Sequence, residues 1–144
     1  MADRYTPEDN NNLATYPGPS IVKLDADVNA ELGKMTVSVS GYGQVPAAAN
    51  AMTGQMRGIN VDAVDNTGGA QGAKSVTCRP GVFRFKNDGT HPCTQAHVGT
   101  TVYASDGETI SRDSADGPPA GTLLEFNAAD SLGRPCKVAL KCFK

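Results

Sequence analysis

"KSVTCRPGVFRFKNDG", residues 74–89, decides the fold class. Residues 74–78 and 81–86 both alternate as strands do, with side chains pointing to opposite faces at every second position. In the second run Phe83 and Phe85 share one face, and Val82 and Arg84 share the other. Between the runs stands Pro80. Proline has no N–H to give to a ladder, so it predicts a bulge or a sheet edge there. Asn87-Asp88-Gly89 follows and reads as a hairpin turn, because Asp-Gly tolerates the positive φ of tight hairpins.

The same grammar continues in both directions. Downstream, residues 100–104 (TTVYA) and 108–111 (ETIS) flank a second Asp-Gly turn at Ser105-Asp106-Gly107. Residues 112–120 hold Asp-Gly-Pro-Pro and read as loop. Residues 121–127 (GTLLEFN) and 137–143 (KVALKCF) read as the last strands. Upstream, residues 65–72 (DNTGGAQG) form a glycine-rich loop, and residues 56–64 (MRGINVDAV) carry strand alternation at Ile59 and Val61. Residues 46–54 are small, fit for a loop or one helical turn. Residues 35–40 (MTVSVS) alternate as a half-buried strand with Met35, Val37 and Val39 on one face, and residues 20–25 (SIVKLD) form a short strand. No amphipathic helix of ten residues is visible; residues 25–34 come nearest. About nine or ten short strands with no crossover helices predict an all-β, antiparallel sandwich or small barrel.

Residues 1–19 differ. They are polar, without periodicity, and contain Asn10-Asn11-Asn12 and Pro17-Gly18-Pro19. They read as an extended N-terminal arm, leaving residues 20–144 as a single β-rich domain. Composition adds a further constraint. Val, Ile, Leu and Phe make up 26 of 144 residues. A formal net charge of −2 excludes the highly charged disordered class. The expectation is a folded chain with a thin core, which contacts with partner copies would supplement.

Thirteen Lys and Arg residues are scattered without a run, which argues against direct binding of nucleic acid. No apolar stretch is long enough for a membrane helix, and the first residues lack the apolar region of a secretory signal. Synthesis and residence in the cytoplasm are the expectation. Reduced thiols at Cys78, Cys93, Cys136 and Cys142 follow from it.

Five candidate chemistries can be weighed. His91, Cys93 and His97 offer imidazole and thiolate ligands, but H-x-C-x3-H is not a common zinc spacing, and the expectation is no metal and no cofactor. Cys136 and Cys142 lie an even number of residues apart. On a regular strand they face one side at about 20 Å and pack in the core. Asp106 with Glu108, and Asp113 with Asp116, sit in or near turns and read as solvated acids. No G-x-S-x-G, P-loop or dinucleotide fingerprint occurs, so no enzymatic activity is expected. Strands rich in Gly, Ala and Thr have weakly covered edges, which an assembling protein would use.

The strings "VDAVDNTGGAQGAKSVTCRPGVFRFKNDG", "TQAHVGTTVYASDGETISRDSADGPPAGTLLEF" and "PCKVAL", in that order, resemble the capsid decoration, or cement, proteins of tailed bacteriophages. The shared pattern is a glycine-rich loop, a "GVF" strand, a "VGTTVYA" hairpin, a "PAG…E" strand and a short final strand. It covers roughly residues 56–142. The resemblance implies a jelly-roll-like sandwich or small barrel. It places the subunit on the outer capsid surface of the virion, as a dimer or trimer at a local symmetry axis. There it would cement neighbouring major-capsid-protein subunits. Tyr5, Leu13, Tyr16 and Ile21, in and just after the arm, are then the expected capsid contacts. The rival readings are a β-rich head-fibre or tail module that binds a receptor or glycan, and a small metal-dependent enzyme built on His91, Cys93 and His97.

Overall fold

The computed structural model describes residues 18–142. It is all-β, with twelve strands and two single 3-10 turns, Ala48–Asn50 and Gln95–His97. The strands are β1 (Ser20–Lys23), β2 (Asn29–Ala30), β3 (Met35–Val39), β4 (Tyr42–Gln44), β5 (Gln55–Asn60), β6 (Val64–Asp65) and β7 (Ser75–Arg79) in the first half. In the second half they are β8 (Val82–Asn87), β9 (Thr101–Ala104), β10 (Thr109–Ser111), β11 (Pro119–Phe126) and β12 (Cys136–Leu140). No helix among the described residues is long and apolar enough to cross a membrane.

Each half of the chain makes its own sheet. The first is antiparallel with order β1-β7-β5-β3-β4, and it curls until its edges touch. Leu24 bridges Gly43 there, and the Asp25 N–H donates to the Gly43 carbonyl at 3.0 Å. The second is a closed barrel of order β10-β8-β12-β11-β9. All its pairings are antiparallel except β8 with β10, which run parallel. β2 and β6 form a separate small ribbon.

The residues at Pro80 explain the division. Pro80 stands between β7, in the first sheet, and β8, in the barrel. The position read as a bulge or edge is the crossover between two sheets. A residue that cannot donate to a ladder fits where the chain leaves one ladder for another. At the same crossing Gly58 of β5 has φ +125°, and a Cβ on it would lie 2.4 Å from the Arg79 carbonyl oxygen. Only glycine lets the two backbones approach so closely.

β3 is the wall between two cores. Met35 and Val37 join Phe85, Val102, Ile110, Leu123, Val138 and Leu140 in the larger one. The other face of β3 looks into the smaller cluster of Val22, Leu24, Ala30, Val76 and Cys78. Thr36 lies on that side, and its Oγ1 donates to Asn60 Oδ1 at 2.6 Å. The alternation read as a half-buried strand is therefore a strand buried on both faces. Short hydroxylated side chains suit the tighter side once their hydrogen bonds are met.

The Asp88-Gly89 turn also differs from expectation. β8 forms no hairpin with the next strand, β9; its neighbours are β12 and β10. Asp88 Oδ2 instead accepts the N–H groups of Thr90 and His91 at 3.0 and 2.8 Å. Asn87 grips Cys93 from both sides: its amide donates to the Cys93 carbonyl at 3.0 Å and its Oδ1 accepts the Cys93 N–H at 2.8 Å. The chain is thus folded inward over the barrel end. The second Asp-Gly turn does close a hairpin, β9 to β10, with the Glu108 N–H bonded to Asp106 Oδ1.

Candidate functional site

The structure separates the three residues of the 91–97 segment. Cys93 is 1% exposed and belongs to the larger core, where its thiol lies against that of Cys136. That contact and then burial push the Cys136 thiol up. His97 turns back on its own 3-10 turn, with its Nδ1 accepting the Thr94 N–H at 2.9 Å. His91 points the other way. The candidate ligands His91, Cys93 and His97 do not converge on one point.

What His91 meets is a pair of carboxylates from residues 112–120. Its Nδ1 lies 2.8 Å from Asp116 Oδ2, and its Nε2 lies 3.6 Å from Asp113 Oδ2. Ser111, wholly buried, donates its hydroxyl to the same Asp116 oxygen at 2.6 Å. The backbone closes the arrangement: the Arg112 N–H donates to the His91 carbonyl at 3.1 Å. The barrel positions all of this. β8 and β10 are parallel neighbours with Ile110 opposite Asn87, so the segments that follow them leave the same end side by side.

The electrostatics follow from these contacts. Asp116 is held below the ordinary carboxylate range by the Ser111 hydroxyl, and then by the His91 hydrogen bond. Asp88 is lowered chiefly by the N–H of His91, against some desolvation, and further by that of Thr90. The acids at 113 and 116, read from sequence as solvated, are drawn into a knot between two loops. No local pattern signals this, because the partners are 25 residues apart in the chain. The one available hint was Ser-x-Asp-x-x-Asp arriving where a strand ends.

The remaining candidates are structural. Asp106 serves its hairpin, and Glu108 pairs with Lys34 and Lys86 at 3.8 and 3.4 Å. All four cysteines are free, and β12 ends at Leu140, before Cys142. Burial pushes the Cys78 thiol up to about 11 and the Cys142 thiol up to about 12, so neither is an ionised nucleophile near neutrality. A cleft of about 620 Å³ is lined by Gly54, Gln55, Met56, Arg57, Pro119, Lys141 and Cys142; no carboxylate or imidazole is among these described residues.

Of the expected contact residues, Tyr5, Leu13 and Tyr16 lie outside the described residues, as does most of the arm at 1–19. Ile21 lies on β1 opposite Thr77 and is 72% exposed. Met52 and Leu132 are exposed further still, at 93% and 79%. These side chains leave apolar surface in water, although single exposed hydrophobes are common on any protein. Comparison with protein-family models, with curated proteins and with solved structures gave no match.

Proposed function

We propose that this chain is a non-enzymatic structural subunit of a phage virion. It binds the outside of the icosahedral capsid and cements neighbouring major-capsid-protein subunits, as a dimer or trimer of itself. The observation that carries the reading is the ordered resemblance along residues 56–142. From Gly81 onward every element of that pattern is a strand or hairpin of the closed barrel: β8, β9 with β10, β11 and β12. The jelly-roll-like description of the fold belongs to the same reading.

Physical features support it. The described thiols sit in the cores or at their margin, and Asp116 is tied into loop structure by His91 and Ser111. The exposed Ile21, in β1, gives a partner an apolar anchor next to the expected arm. Modest contacts suffice in this role, because the subunit repeats around a shell and binding is collective. The test is quantitative mass spectrometry of purified particles from the parent phage. A copy number equal to that of the major capsid protein, or a simple fraction of it, is expected. Absence from the particle would end the reading. Removal of residues 1–19 with capsid binding unchanged would end the role assigned to Tyr5, Leu13 and Tyr16.

A further inference from the structure

We propose that Asp88, His91 and Asp116 form a binding site for a divalent transition-metal cation of the zinc class, which staples the loop after β8 to the loop after β10. One ligand atom from each of the three lies within 4.8 Å of the others. Ligands at about 2.0–2.2 Å around a zinc ion are necessarily some 3–4 Å apart, so small side-chain rotations close the shell. Asp113, 3.6 Å from His91 Nε2, lies on the other side of the ring, where its carboxylate can accept the Nε2–H and orient the imidazole, leaving the fourth position to water.

Two features of the cluster favour a cation here. The first is the donor chemistry. Imidazole nitrogen with carboxylate oxygen selects zinc-like ions over magnesium or calcium, which take oxygen alone. The second is charge. Three carboxylates gather at this end of the barrel, with Arg112 as the nearby cation; its Nη1 donates to the Pro92 carbonyl at 3.3 Å, and its charge favours the ionised form of Asp116. Asp116 and Asp88 are close enough to repel each other, and a cation relieves that repulsion. The buried Ser105 Oγ lies beside the Asp88 carboxylate and favours its ionised form, the form a cation binds.

The supporting contacts are those that orient metal ligands elsewhere. Ser111 holds Asp116, and two backbone N–H groups hold Asp88 through Oδ2 alone. The ligands are about a quarter to a third exposed at His91 and Asp116, which gives the ion a way in. On binding, the ion replaces the hydrogen bond between His91 and Asp116, and any proton on Nδ1 moves to Nε2 or, where Nε2 already carries one, to solvent.

The experiment is calorimetric titration of zinc chloride into the full-length, chelator-stripped chain near neutral pH, with a thermal melt alongside. One ion per chain and a raised Tm are expected. His91→Gln and Asp88→Asn should each weaken binding at least tenfold. His97→Gln and the Cys93→Ser, Cys136→Ser pair should leave it unchanged. If Asp88→Asn unfolds by circular dichroism, Asp116→Asn takes its place. Cobalt(II) should give a ligand-field spectrum without a thiolate charge-transfer band. No heat and no Tm shift in the wild-type chain would overturn the proposal. So would binding that survives in His91→Gln, or that disappears with the two cysteines.

Discussion

The two halves of the molecule solve the same problem to different degrees. Residues 82–140 close a five-stranded barrel in which every strand has two neighbours. Residues 20–79 build a five-stranded sheet whose edges meet at one bridge, Leu24 to Gly43. The cores differ in the same sense. The barrel holds Phe85, Ile110, Leu123, Val138 and Leu140, while the first half keeps only Val22, Leu24, Ala30, Val76 and Cys78 for itself. Met35, Val37 and Met56 of the first sheet are given to the barrel's core. A chain with few large apolar residues thus shares them, and the shared wall makes one half depend on the other.

The strongest way to break this comparison is to cut a cavity on each side of the wall. Leu123→Ala and Leu24→Ala should each cost about 2–5 kcal/mol, with Leu123 the more expensive. Leu123 is surrounded by a closed barrel that cannot collapse, whereas Leu24 sits at the sheet edge in a small cluster. Urea denaturation should show one transition in both variants. Two separate transitions would mean that the halves fold independently and that β3 is no shared wall.

A smaller effect probes the polar side of that wall. Thr36→Val removes the donor to Asn60 Oδ1 and leaves that buried oxygen with only the Cys78 thiol at 3.5 Å. The cost should be about 1–3 kcal/mol by the same denaturation. Stability equal to wild type would show that apolar packing alone holds the first half.

The smallest effect sharpens the contrast at the barrel end. Asp88 and Asp116 have folded pKa values below the ordinary 3.8. Depressed carboxylates contribute stability that is present above the unfolded value and is lost as pH falls through the folded one. The Tm should therefore hold from neutral pH to about pH 4 and drop below it. In Asp116→Asn part of that drop should disappear; an unchanged acid limb would show that the knot of His91, Ser111 and Asp116 contributes nothing.

Much of the strand pattern is local and so was legible. Residues 35–39, 82–87, 101–104, 109–111 and 119–126 alternate or carry turn signals, and each is a strand. The reading failed where the signal was satisfied locally by something other than the expected structure. Asp88-Gly89 has the chemistry of a hairpin, yet Asp88 uses it to cap a turn into the loop that buries Cys93. The candidate site failed for the complementary reason. His91 was read with its sequence neighbours Cys93 and His97, but a loop that folds back gives each neighbour a different direction.

The sequence by itself determined that this chain is all-β, where most strands lie and that Pro80 interrupts a ladder, because pleat period, turn chemistry and proline's missing donor act within a few residues. The tertiary structure alone decided that Pro80 divides two sheets, that β3 faces two cores, and that His91 meets Asp116. Those facts depend on which distant strands pair, and a parallel neighbour such as β10 beside β8 joins segments whose residues carry no mark of each other.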